Sequence, residues 1–270
     1  MKGLVRYLLA FVICGFGSAS AGIIDVVFDS SQFGAIDSST GAYTQISSIP
    51  LYEAAGIAMG QNSLFVEDID SNLLSVNPAT GTAATVGNST LNLTIPVFGG
   101  DANGLFALDT ASNLYSVSSA TGQATLIGAT GLPGNNFGFD TSLSSDGTWL
   151  YYTAGPSGGV DELYRIDPAT GIAVDIGSTG VRSVAGSAFV NGQLALFQYN
   201  QGTNYIYYAP DGSAQFTQGP VLGAQIIDGG AVVPINAAGA ENAAPEPGTL
   251  VLALSGAVML MLGWRKRRRL

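Results

Sequence analysis

Four stretches of this chain repeat one pattern, and a fifth follows it loosely. They read FGAIDSSTGAYTQIS at 33–47, LLSVNPATGTAATVG at 73–87, LYSVSSATGQATLIG at 114–128 and LYRIDPATGIAVDIG at 163–177, with YIYYAPDGSAQFTQG as the degenerate copy. The turn glycine recurs at Gly41, Gly81, Gly122 and Gly171, with Gly212 in the fifth copy, so the spacings are 40, 41, 49 and 41. A unit of this size cannot bury its apolar face alone, and repetition supplies neighbours that cover it. When the units are strands and not helices, a period near 40 is the signature of a propeller blade.

The chemistry inside each copy supports strand, turn, strand. Leu163-Tyr164-Arg165-Ile166 is short and rich in apolar and aromatic residues, as a strand between packed sheets should be. Asp167-Pro168-Ala169-Thr170-Gly171 then supplies a hydrogen-bond acceptor, a fixed φ and a residue for the left-handed position. Asn77-Pro78-Ala79-Thr80-Gly81 repeats the device. An earlier hairpin precedes each copy: GQNSLFV, DANGLFAL, SDGTWLYY and NGQLALF each put a Gly/Asn/Asp turn before an apolar strand.

These readings give four strands per unit, a-b-c-d. IIDVVF at 23–28 enters the pattern at strand b, and IIDGGAVV at 226–233 is the candidate for the missing strand a. Pairing the two ends closes a ring and removes an edge. The expected fold is all-β, a β-propeller of about five four-stranded blades over 22–235, with a linker at 236–244. The nine additional residues between Gly122 and Gly171 are too few for a further blade.

Both termini carry addresses. Lys2 and Arg6 precede an apolar stretch, and Ala19-Ser20-Ala21 supplies an A-x-A cleavage site at Ala19 and Ala21, so 1–21 reads as a secretory signal peptide. At the other end Pro245-Glu246-Pro247 makes a stiff extended break. An uncharged run, 248–264, follows at the lower limit of a membrane-crossing helix. Arg265, Lys266, Arg267, Arg268 and Arg269 close it with a basic cluster that the positive-inside rule holds in the cytoplasm. Hydropathy alone gives a C-terminal transmembrane anchor.

The order Pro-Glu-Pro, short apolar helix, arginine cluster also resembles the PEP-CTERM sorting tail of exported bacterial proteins, over 245–270. The resemblance implies an inner-membrane-anchored precursor and removal of the tail near Pro-Glu-Pro by an exosortase. It further implies a final location at the cell surface or in an exopolysaccharide matrix.

Composition narrows the chemistry. With both addresses removed, the only basic residues are Arg165 and Arg182, against eighteen acids, a net charge of −16 over 22–244. Such a surface repels phosphate backbones, so nucleic acid is not expected as a partner. Histidine is absent and the one cysteine, Cys14, lies in the signal peptide. Histidine triads, imidazole metal sites, thiolate nucleophiles and disulfides are therefore excluded from the mature domain.

Candidate sites come from the loops. The b–c connections gather Asp29, Asp68-Ile69-Asp70-Ser71-Asn72, Asp109 to Asn113, and Asp161-Glu162 on one face. Oxygen ligands of this kind suit calcium, and Asp68, Asp70 and Asn72 resemble the opening of an EF-hand loop without its glycine or distal glutamate. The competing reading, which carries more weight, is that Asp and Asn mimic turn hydrogen bonds. No other cofactor is expected.

Tyr151, Tyr152, Tyr199, Tyr205, Tyr207 and Tyr208 are candidate sugar platforms, although strand positions favour packing between blades. Asp161 and Glu162 point to opposite faces of a strand and make a poor carboxylate pair for glycoside hydrolysis. The expectation is a non-enzymatic exported surface or matrix protein. The alternatives are a module binding exopolysaccharide or a surface partner, and a carboxylate-dependent hydrolase or lyase.

Overall fold

The computed structural model describes residues 23–28, 31–51, 54–60, 63–91, 97–132, 141–156, 159–190, 192–198, 204–208, 217–221 and 229–232. Residue 28 and the last three ranges are described by backbone alone. The chain divides into two compact units, Met1–Val232 and Val233–Leu270. The signal peptide, the linker, the Pro-Glu-Pro tail, its expected transmembrane helix and the basic cluster all lie outside the described residues. Among the described residues no helix is long and apolar enough to cross a membrane.

The first unit is a β-propeller-like, all-β assembly of four-stranded antiparallel sheets. Four sheets each use four consecutive strands. The first comprises β4 (Ala54–Met59), β5 (Leu64–Asp68), β6 (Asn72–Val76) and β7 (Ala83–Asn88). The next comprises β8 (Val97–Asp101), β9 (Gly104–Leu108), β10 (Asn113–Val117) and β11 (Ala124–Ala129). It is followed by β12 (Thr141–Ser145), β13 (Leu150–Ala154), β14 (Val160–Ile166) and β15 (Ala173–Arg182), then β16 (Val184–Val190), β17 (Gln193–Gln198), β18 (Asn204–Tyr208) and β19 (Thr217–Val221). One further sheet is composite, ordered β20-β1-β2-β3, from β1 (Ile23–Phe28), β2 (Gln32–Asp37), β3 (Tyr43–Ser48) and β20 (Gly229–Val232). Its seam pairs Ile24 with Val232 and Val27 with Gly229.

The inner strands pack in cyclic order, β20 to β4 to β8 to β12 to β16 and back to β20. Their sequences explain the close approach. Small residues dominate AAGIAM, VFGGD, TSLSS, VAGSAFV and GGAV. A Cβ at Gly56 would strike the Phe98 carbonyl, and one at Gly99 the Leu143 carbonyl. Ser187 Oγ donates to Ser144 Oγ at 3.1 Å, tying β16 to β12.

Between sheets the two strand faces bury apolar side chains. Ala58, Phe65 and Leu73 pack against Phe98, Leu105, Ala107 and Val117. Leu108 and Leu114 pack against Leu143, Leu150, Tyr152 and Ile166 in the next interface. Tyr151 and Leu163 pack against Val184, Leu194 and Leu196 in the one after that.

The outer rim shows why the repeat is so regular. The first four c–d hairpins carry a bulge at one position: Phe33/Gly34, Leu73/Leu74, Leu114/Tyr115 and Leu163/Tyr164. Opposite it stand Ser47, Gly87, Gly128 and Gly177. Onto this spot sits the Thr-Gly turn of the next sheet. Ser47 Oγ donates to the Gly81 carbonyl at 3.2 Å, and a Cβ on Gly128 would lie 2.7 Å from the Thr170 carbonyl. The turn glycine takes the left-handed conformation at Gly41, Gly81, Gly122 and Gly171, with φ from 65° to 79°.

One expectation is corrected here. Asp161 and Glu162 are not in a b–c loop but inside β14, where bulges at Val160/Glu162 and Leu163/Tyr164 lengthen the strand. The long spacing between Gly122 and Gly171 adds no strand among the described residues; the extra chain falls in the connections on either side of β12 and β13.

Candidate functional site

One face of the propeller carries the b–c loops and the connections between sheets. Two of these loops are the same construction. Asp68 sits at the end of β5, and its Oδ1 accepts the Asn72 backbone N–H at 2.8 Å while Oδ2 accepts Asn72 Nδ2 at 3.0 Å. Asp109 accepts from the Asn113 N–H at 2.8 Å and from Asn113 Nδ2 at 2.9 Å, with the Ala111 N–H at 2.9 Å and Tyr115 Oη at 3.0 Å as further donors. Asp-x-x-x-Asn is therefore a clamp that closes the loop on itself.

The residue before each Asn has a left-handed backbone, Ser71 at φ 65° and Ser112 at 61°. Its carbonyl receives the first residue of the following inter-sheet connection, Ser89 N–H at 2.9 Å and Thr130 N–H at 3.1 Å.

The candidate calcium ligands are separated by this clamp. Asp68 is buried with both oxygens engaged by Asn72, and Asp70 is exposed. Asn72 Oδ1 accepts a hydrogen bond from Asn88 Nδ2 at 3.0 Å, and the same nitrogen donates to the Asp70 carbonyl at 2.9 Å. Among the described residues no group of three His, Cys, Asp or Glu side chains is placed to hold a metal ion.

Three carboxylates lie deeper. Glu67, one residue before the clamp, is fully buried; Ser89 Oγ donates to its Oε1 at 2.6 Å, and its Oε2 has no partner among the described residues. Burial raises its pKa to about 7, with the neighbouring Asp68 charge adding to the shift and the Ser89 hydrogen bond opposing it. Asp25 on β1 is buried as well, and desolvation pushes it to about 7. Asp161 is fully buried and structural: its Oδ2 accepts the Val184 N–H at 2.6 Å and its carbonyl accepts Thr179 Oγ1 at 2.7 Å. Glu162 is half-buried, and as its neighbour in the strand faces the other way. The two do not converge.

The tyrosines divide likewise. Tyr151 and Tyr152 are buried in consecutive inter-sheet cores, one against Phe189 at 5.4 Å between centroids and the other against Tyr164 at 6.2 Å. Burial also raises the Tyr152 phenol well above its usual value. Tyr199 lies outside the described residues.

The opposite face carries the a–b and c–d turns, and sequence reasoning assigned nothing to it. Asp101 accepts Ser145 Oγ across two sheets, while Asn103 Nδ2 reaches the Gly147 carbonyl at 3.1 Å. Beside this bridge lies a cavity of about 330 Å³ lined by Gly60, Asn103, Gly104, Phe106, Ser116 and Ser118, with Leu105 and Val117 at its apolar wall. In the next sheet Trp149, Tyr151 and Arg165 take the register positions of Gly104, Phe106 and Ser116, and the Arg165 guanidinium lies 4.6 Å over the Trp149 ring.

Comparison with known proteins supports the fold. A chain of the crystal structure of a nidogen/laminin complex superimposes with a TM-score of 0.53 at 12% identity, over 79% of this chain and 98% of that one. No family model matches the sequence. No curated protein matches it significantly.

Proposed function

We propose that this chain is a non-enzymatic binding module with a β-propeller scaffold, exported from the cell and displayed at the surface or in the extracellular matrix. The observation that carries the reading is the ring of inner strands closed through β20 and β1, which presents turns on two faces. On this reading the composite sheet β20-β1-β2-β3 serves as the fifth blade. The complex containing the similar fold is itself one between proteins, which agrees with a partner-binding role.

The terminal sequences support the route. The A-x-A site at Ala19 and Ala21 directs export. Pro245-Glu246-Pro247, the apolar run and Arg265 to Arg269 hold a membrane-bound precursor until an exosortase acts. The acidic surface keeps the released module soluble and away from nucleic acid.

Retention assays test the binding role. The immobilised chain is exposed to polysaccharide and protein fractions extracted from the surface of its host. Saturable retention of one fraction is the expected result, and retention of neither removes the binding reading.

A further inference from the structure

We infer that the cleft at Gly104 and Phe106 is a subsite for a neutral sugar ring. The inference rests on the binding-module reading and gives that module a location and a ligand class.

Among the described residues the cleft lining includes no acid and no base, in a domain otherwise rich in acids. Its described residues offer the Phe106 ring and polar groups on Asn103, Ser116, Ser118 and Ser119. The lining mixes apolar surface and hydrogen-bonding groups in about equal parts, and about 330 Å³ lies at the small end of the range for small-molecule sites. A pyranose matches this chemistry, because it presents an apolar C–H face to an aromatic ring and hydroxyls around its rim. The −16 charge over 22–244 opposes uronates and sulfated sugars, which selects the neutral members.

The cleft exists because of a glycine. A Cβ at Gly104 would lie 3.2 Å from Cε2 and Cζ of Phe106, so its absence leaves that part of the ring uncovered. Gly104 has no left-handed φ that would require glycine. In the next sheet the same position is Trp149, held under Arg165. The repeat thus contains both an open version and a filled version of one site.

The test uses the full-length chain in a detergent without a sugar headgroup, titrated with cellohexaose and, separately, with polygalacturonate. Saturable binding of cellohexaose and none of polygalacturonate is expected. Gly104→Trp copies the filled version and should weaken cellohexaose binding more than ~10-fold, while Ser116→Ala, which keeps the cavity, should weaken it about 3-fold through loss of one hydrogen bond. Unchanged circular dichroism for both variants places the losses at the cleft. Failure to bind cellohexaose, or binding that Gly104→Trp leaves intact, overturns this assignment. Retention of a surface protein alongside that failure would leave the binding-module reading standing and remove only the sugar site.

Discussion

Ser89 donates a 2.6 Å hydrogen bond to Glu67 inside the wall between the sheets β4–β7 and β8–β11, where the equivalent positions on β9 and β17 hold Leu108 and Phe197. A glutamate where two other sheets place core hydrophobes makes the fold sensitive to pH. Its folded pKa, about 7, stands above the ordinary 4.5, so the folded chain holds a proton that the unfolded chain releases. The stabilisation is complete below about pH 4.5 and is lost as pH rises to 7. Asp25, raised to about 7 from 3.8, acts in the same direction. The urea midpoint should therefore fall between pH 5 and pH 8. Glu67→Gln should remove part of that fall, roughly 3 kcal/mol at most. A midpoint that rises over this range would contradict the assignment.

Gly87→Ala tests how the sheets seat on one another. Its Cβ would meet the Thr121 carbonyl, a backbone atom with no room to retreat. Overpacking of this kind costs about 1–3 kcal/mol, a fall in Tm of at least ~2–4 °C for a domain of this size. Gly104→Ala, which meets only the far edge of the Phe106 ring, should leave Tm nearly unchanged. Equal effects from the two substitutions would mean that the Thr-Gly turn does not determine the spacing.

Asp68 and Asp70 separate the turn clamp from a calcium site. Asp68→Ala removes two hydrogen bonds to Asn72 and should cost about 1.5–3 kcal/mol. Asp70→Ala changes an exposed side chain and should fall within about 0.5 kcal/mol of the parent. Millimolar calcium should not shift Tm. A rise in Tm with calcium that Asp70→Ala abolishes would restore the metal reading.

Ring closure depends on four residues. Truncation after residue 232 keeps the β20–β1 seam, whereas truncation after residue 228 removes β20 and leaves β1 as a bare edge. The shorter chain should aggregate at concentrations where the longer one stays monodisperse by light scattering. Equal behaviour would show that the seam is dispensable.

The architecture was legible because its signals are local and repeated. The Thr-Gly turns, the apolar strands and the two unpaired ends each report on a few adjacent residues, and four copies reinforce one another. Register across a bulge is less legible, so Asp161 and Glu162 read as loop residues when they belong to β14. Ser71 and Ser112 adopt left-handed backbones without the glycine or asparagine that usually announces one. Glu67 is the next-to-last residue of the run LFVED, where the following aspartate makes it look like part of a solvated turn. The cleft at Gly104 depends on what a glycine leaves uncovered, and only alignment with Trp149 brings it out.

Intact mass of the native protein, measured with fractionation of its host, tests the central claim most directly. The expected result is a species beginning near Gly22, ending close to Pro245 and found outside the inner membrane, with the uncleaved precursor accumulating when the exosortase is deleted. A chain extending through Leu270 and confined to the inner membrane, whether or not the exosortase is present, would contradict it.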